Sequence, residues 1–183
     1  MKTTLHSVNP VIQARRSRTV HECGTRAPLL PLIKLLSPAY LRFGMGIQSL
    51  SLAGAKHALT AYQDFDHGKT RLIIAFRHAY GDEPQLLAHA LLHSFPRYAQ
   101  KYKVPLNKPV FAHFLHGYEV PLWGGPLIRF VLPGIGAIPV HHIKMDTPSI
   151  RRIRKALVNG MFPLALAPEG QTSYTSRTIP RLE

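Results

Sequence analysis

Four short apolar runs, each bounded by proline, glycine or charged residues, constrain this chain more than anything else in it: 70–76, 109–115, 137–140 and 163–167. The first has the length and β-branched content of a buried strand, the second is half apolar, the third reads as a short strand and the fourth as another buried one. Between the first two runs, Glu83-Pro84 suits a first helical turn, and Leu86, Leu87, Ala90 and Leu91 follow at helical spacing. Between the last two lies a basic helical stretch, roughly Pro148 to Asn159, carrying Arg151, Arg152, Arg154 and Lys155, with Gly160 suited to its C-terminus. The segment 120–136 is too broken by proline and glycine for one long regular element. A strand, a helix and a strand in succession favour right-handed parallel crossovers, and no internal repeat is visible. The expected fold is α/β, a mostly parallel twisted sheet flanked by helices.

The residues before the first run divide in two. Residues 1–26 carry five basic side chains and no continuous apolar stretch of the secretory kind; they read as a basic, flexible arm, with an organelle transit peptide as the alternative. Residues 27–60 form an amphipathic segment rich in Leu, Ile, Ala and Gly, broken by Pro28, Pro31 and Pro38 and punctuated by Lys34 and Arg42. Such a segment suits a pair of helices lying in a membrane interface, or equally a helix packed on the domain core. Residues 61–183 are then the α/β domain. No stretch of 18 apolar residues occurs, so peripheral attachment to a membrane face is expected rather than a span. Cys23 is the only cysteine, which excludes an intrachain disulfide and cysteine-based metal clusters and suits a reducing, cytoplasmic setting. With 23 Lys and Arg against 9 Asp and Glu, the formal charge is +14, and a polyanionic partner is expected. Acidic lipid headgroups, a polyphosphate cofactor and nucleic acid all satisfy charge alone.

Ligands of open α/β sheets gather at the carboxyl ends of the strands. Here the first run leads into His78 with Asp82 and Glu83, the third into His141-His142, and the fourth into Glu169-Gly170-Gln171. An imidazole held by a nearby carboxylate is the arrangement for general-base catalysis on a hydroxyl group.

These clusters resemble the glycerol-phosphate and lysophosphatidate acyltransferases. That family carries a His, four residues and an Asp after a buried strand, and His78 to Glu83 look like that block with Glu83 where Asp is usual. Gly136-Ala-Ile-Pro139-Val140 is similar to its Gly-Ile-Pro-Val block, and Ala167-Pro168-Glu169-Gly170 to its Phe-Pro-Glu-Gly block. The match runs from about residue 68 to residue 173, and three blocks in order are more specific than one. The resemblance implies transfer of a fatty acyl group from an acyl thioester, of coenzyme A or acyl carrier protein, to a glycerol-phosphate or lysophospholipid hydroxyl. His78 would be the base, with no tightly bound cofactor or metal and no covalent acyl-enzyme. Glu83 would be the first choice as its partner and Asp82 the second, Asp82 lying one residue too close. Pro168, Glu169 and Gly170 would hold the acceptor, with Gly136 and Pro139 from the second block. The family's phosphate-binding Arg falls at His142, for which Lys144 can substitute, and its Thr-Arg becomes Gln171-Thr172. The family continues through further strands and a fourth block, so a C-terminally truncated member is expected.

Three other readings compete. The chain can be a membrane-binding remnant of that family without turnover. His89 and His93, four apart on one helix face, raise a metal site, but no recognised spacing joins them to His113, His116, His141 or His142. The basic helix would suit nucleic acid, yet no aromatic residues interleave with its charges, and no nucleic-acid partner is expected.

Overall fold

The computed structural model describes residues 29–79, 81–106, 109–141 and 146–170. Helix α1 (Leu29–Ala39) continues into a π-helical turn, Tyr40–Gly44, and is followed by α2 (Ala55–Asp66) and strand β1 (Ile73–Ala75). Then come α3 (Glu83–His89), a second π-helical turn (Ala90–Ser94), α4 (Phe95–Tyr102) and β2 (His113–Gly117). The remainder comprises α5 (Val120–Trp123), α6 (Gly125–Gly134), β3 (Ile138–Val140), α7 (Thr147–Asn159) and β4 (Leu164–Leu166).

The four strands form one sheet in the order β1-β4-β2-β3, every pair parallel. The fold is therefore α/β, a parallel sheet flanked by helices. The crossovers carry α3, α4 and α6 over one face and α7 over the other, and the buried side chains divide accordingly. On the first face Phe114 of β2 and Ala165 of β4 join Leu59 and Tyr62 of α2, Leu91, Phe95 and Phe111 in the main core. Opposite it, Ile138 and Leu164 pack under Ala156, with Ile153 and Leu157 of α7 at the margin. The alternation Phe114/Leu115 and Leu164/Ala165 is the period of two that serves both faces. Within the main core Phe111 meets Phe114 and Phe162, each with ring centroids 5.7 Å apart. Burying each such ring contributes about 2 kcal/mol.

Proline decides where the helices change register. Pro38 has no N–H to give the carbonyl of Lys34, and that oxygen instead accepts from His93 Nε2 at 2.8 Å. The turn that follows widens, Met45 N–H bonding back five residues to Tyr40 O. The same widening precedes Pro96, where the Phe95 N–H reaches Ala90 O. Ser37 Oγ lies 3.1 Å from both His89 Nδ1 and His93 Nε2, which pins α1 to the helix that follows the first strand.

Residues 60 and 61, where the sequence divides the amphipathic segment from the domain, both lie inside α2. That helix sides with the domain, for the Tyr62 hydroxyl donates to Phe111 O and accepts from Phe111 N–H, each at 3.1 Å. Residues 1–26 lie outside the described residues. Segment 120–136 holds two helices, because Pro121 and Pro126 sit in first turns, where no N–H is required, and Pro133 comes only near the end of α6. Gly160 follows α7 in an extended conformation (φ −65°, ψ 146°), not the left-handed one of a glycine cap. Glycine is needed there for space, since a Cβ would lie 2.1 Å from Ala156 O.

Candidate active site

All four strands point the same way, so their carboxyl ends share one edge of the sheet. Beyond β1, Phe76 N–H still donates to Leu166 O at 3.0 Å, after which the chain turns out through Arg77 and His78. The loop back to α3 is curled by Gly81, whose φ of 89° lies in the region open to glycine. This curl aims two backbone N–H groups at the first residue of α3. Glu83 Oε1 accepts from Ala79 N–H at 2.9 Å and Oε2 from Gly81 N–H at 3.0 Å. The same Oε2 lies 3.0 Å from His78 Nδ1. A carboxylate only accepts, so Nδ1 carries the hydrogen and donates, and Nε2 is left with its lone pair. The two side chains are 24% and 20% exposed, enough to reach a substrate yet sheltered enough for the bond to hold.

That contact separates the two carboxylates. Glu83 takes the imidazole, whereas Asp82 is exposed at the boundary of α3 and makes no side-chain capping bond. The longer side chain starts inside the helix and reaches back over the loop, which the residue before it is not placed to do.

Strand β4 is the neighbour of β1, with Ala75 level with Leu166. His78 and Glu169 each lie three residues beyond that pair, at adjacent strand tips on the same edge. Glu169 sits in a turn closed by Gly170 N–H donating to Ala167 O at 3.2 Å. Pro168 occupies the second position of that turn, which its fixed φ suits, and Gly170 is left-handed at φ 67°. The Glu169 side chain is buried, at 4% exposure, and its Oε2 has no hydrogen-bond partner among the described residues. A buried carboxylate oxygen without a partner is costly, and a ligand hydroxyl would relieve the cost.

The second block does not join this group. Gly136 precedes β3 and so lies at the opposite edge of the sheet; its carbonyl accepts from His113 Nδ1 at 2.9 Å. Pro139 is within β3, opposite His116 of β2, and its carbonyl is taken by Ser149 Oγ at 2.7 Å. Both residues shape the strand and its neighbours, and neither reaches the edge that carries His78. His142 and Lys144 lie outside the described residues.

One cluster had no signal in the sequence. At the tips of β2 and β3 the Tyr118 hydroxyl donates to Asp146 Oδ2 at 2.8 Å, and the buried Ser149 hydroxyl lies within reach of the same oxygen, also at 2.8 Å. This ties β2, β3 and the start of α7 together at the edge that carries His78. Burial, ahead of its hydrogen-bonded neighbours, pushes the Tyr118 hydroxyl pKa up. Asp146 before Thr147-Pro148 reads only as a helix start, and nothing in the sequence pairs it with Tyr118.

His89, His93, His113 and His116 are engaged within the fold. His113 is buried against Phe162, ring centroids 5.5 Å apart, and burial lowers its pKa against the opposing bond to Gly136. His116 is lowered by burial as well. His89 and His93 stack at 4.5 Å. Among the described residues no three His, Cys, Asp or Glu side chains gather as a metal site would require. Comparison with protein-family models, with curated proteins and with solved structures found no match to this chain.

Proposed function

We propose that the chain is an acyltransferase working on a membrane surface, moving a fatty acyl group from an acyl thioester to a glycerol-phosphate or lysophospholipid hydroxyl. The observation that carries this reading is the His78–Glu83 pair, with the unpartnered oxygen of Glu169 at the neighbouring strand tip. The two sequence blocks that hold these residues, His78 to Glu83 and Ala167 to Gly170, support it.

In the proposed step the acceptor hydroxyl gives its proton to His78 Nε2 as its oxygen bonds to the thioester carbonyl carbon. Glu83 stabilises the imidazolium through Nδ1–H, as a carboxylate does in triads of this logic. The tetrahedral oxyanion then collapses, the C–S bond breaks, and the thiolate takes the proton from Nε2 to leave as a thiol. With glycerol phosphate as acceptor, Glu169 and Gly170 orient it by accepting from its second hydroxyl. No covalent acyl-enzyme and no metal enter.

The membrane half of the proposal draws on α1. Leu29, Leu30 and Ile33 face the core, whereas Leu35 is 74% exposed and Phe43 82%, with Leu32, Leu36 and Tyr40 also exposed along the same helix. From Leu29 to Gln63 there is no acidic residue, and Lys34 and Arg42 flank the apolar stripe. Such a helix suits the headgroup layer of an anionic bilayer. No helix among the described residues is long and apolar enough to cross a membrane.

Purified protein with an acyl-coenzyme A and glycerol 3-phosphate or a lysophospholipid tests the reading by release of free thiol. Acceptor-dependent release that disappears in His78→Ala is the expected result. Release unaffected by that substitution, or none with any acceptor of the class, would overturn it; in the second case retention on anionic vesicles would favour a membrane-binding remnant.

A further inference from the structure

Arg152, the sixth residue of α7, has two guanidinium nitrogens, Nε and Nη2, shielded from water without a hydrogen-bond partner among the described residues. A guanidinium keeps its charge in a protein, so it does not escape the cost of burial by becoming neutral. These two nitrogens form one edge of the group, and their parallel N–H bonds fit two oxygens of a single phosphate or carboxylate. Arg152 thus presents a fork shaped for an anion that the described residues do not supply.

Place in the fold narrows what that anion is. Helix α7 begins beyond the tip of β3. Burial is the first influence on the raised Tyr118 hydroxyl, and the Arg152 charge acts the other way, which sets the guanidinium near the tip of β2. Asp146 is the acid of this corner, and its Oδ2 is engaged by the hydroxyls of Tyr118 and Ser149. Arg151 and Arg154, both exposed, add positive potential around the same turn. Along the sheet edge the tips run β1, β4, β2, so His78, Glu169 and Arg152 follow one another in that order. Neighbouring strands are about 5 Å apart, which puts the outer two groups roughly 10 Å from each other, a gap for a three-carbon phosphate with a hydrogen bond at each end. A ligand meeting all three offers a reacting hydroxyl to His78, a second hydroxyl to Glu169 and an anion to Arg152. Glycerol 3-phosphate carries these groups in that sequence.

We propose that Arg152 holds the phosphate of the acceptor, taking two oxygens of a phosphate monoester on Nε–H and Nη2–H. The residue lies outside the three sequence blocks and supplies a cation where the resemblance puts His142 in place of an arginine. It is only partly buried as a whole, and rotation of its long side chain turns the fork to the edge. The acyl-transfer reading supplies the identity of the acceptor, and the proposal rests on it to that extent; the anion site itself does not.

The full chain is titrated calorimetrically with glycerol 3-phosphate, inorganic phosphate and coenzyme A, and is melted with and without each. The parent binds glycerol 3-phosphate and inorganic phosphate, and melts higher with either. Arg152→Met keeps the length of the side chain and loses the fork, weakening glycerol 3-phosphate about ten- to a hundredfold, as for hydrogen bonds to a charged group. Arg152→Lys keeps the charge without the fork and recovers only part of the affinity. With no ligand the methionine variant melts with the parent or above it, because the charge removed has no partner to lose. Glycerol 3-phosphate affinity within about twofold of the parent in Arg152→Met, no binding by the parent, or a lower melt without ligand would each overturn the assignment. A loss confined to coenzyme A would overturn it too, giving the fork to the donor. Thiol release with an unchanged acceptor KM in Arg152→Met removes Arg152 from the site and leaves acyl transfer standing. Phosphate binding that depends on Arg152, in a parent that releases no thiol, upholds the anion site and counts against acyl transfer alone.

Discussion

Replacing Glu83 by Gln changes one atom and tests the site where it is most specific. Among the described residues the carboxylate takes three hydrogens: Ala79 N–H on Oε1, and Gly81 N–H and His78 Nδ1–H on Oε2. A glutamine has a single acceptor oxygen. If it occupies the Oε2 place, its NH2 opposes Ala79 N–H, a local loss of about 1 kcal/mol in this half-exposed loop. The imidazolium also exchanges a charged acceptor for a neutral one, a difference of roughly 1–2 kcal/mol, and about 1.4 kcal/mol is tenfold in rate. If the NH2 faces Nδ1 instead, the imidazole must hold its hydrogen on Nε2 and cannot accept the substrate's proton, and the loss rises toward 10²–10⁴-fold. The expected outcome is therefore a fall in kcat of at least about tenfold, with KM for both substrates little changed. Acceptor-dependent thiol release measures it, and a thermal melt shows whether the fold is kept. Asp82→Asn, altering an exposed side chain that does not touch His78, stays within about twofold of the parent. A Glu83→Gln variant within about twofold of the parent, folded and saturable, would refute the reasoning.

Other expectations follow from the same contacts. Glu169→Gln raises the acceptor KM by about tenfold, as expected for one lost hydrogen bond, while the melting temperature stays equal or rises because the replaced oxygen has no partner among the described residues; an unchanged or lowered KM would contradict the assigned role. Tyr62→Phe removes a hydroxyl that is 1% exposed and serves both backbone groups of Phe111, and it lowers unfolding free energy by about 2 kcal/mol in urea titrations. Stability also falls with acidification. His89, His113 and His116 are lowered from 6.5, each by burial first, with the charge of His93 adding to the effect on His89. Above 6.5 they are neutral folded and unfolded; below it the unfolded chain takes up protons first, so the urea midpoint drops between pH 7 and the lowered values and then levels. A midpoint that rises over that interval would contradict the burial of these rings.

Much of the architecture was legible because buried strands and helices differ in period. The run 70–76 contains Ile73–Ala75 and 163–167 contains Leu164–Leu166, while the second strand extends two residues beyond the run read as 109–115, to Gly117. The strand order was not legible, since apolar runs do not say which neighbour they pair with, and it is this order that brings the tips of β1 and β4 together. The preference for Glu83 over Asp82 came from spacing, Asp82 lying one residue too close, and His78 Nδ1 contacts Glu83. Gly136 and Pro139 were grouped with the acceptor by block similarity, a signal that does not separate residues shaping a strand from residues at its tip. The links of Lys34 O to His93, and of Tyr118 to Asp146, join positions far apart in the chain. No local pattern encodes such pairs.

The most direct test is a crystal structure with glycerol 3-phosphate bound. The account expects one acceptor oxygen within about 3 Å of His78 Nε2, as proton transfer requires, and a second polar atom of the same ligand on the free oxygen of Glu169. A ligand held elsewhere, or one that reaches either side chain while the other turns away, would contradict it.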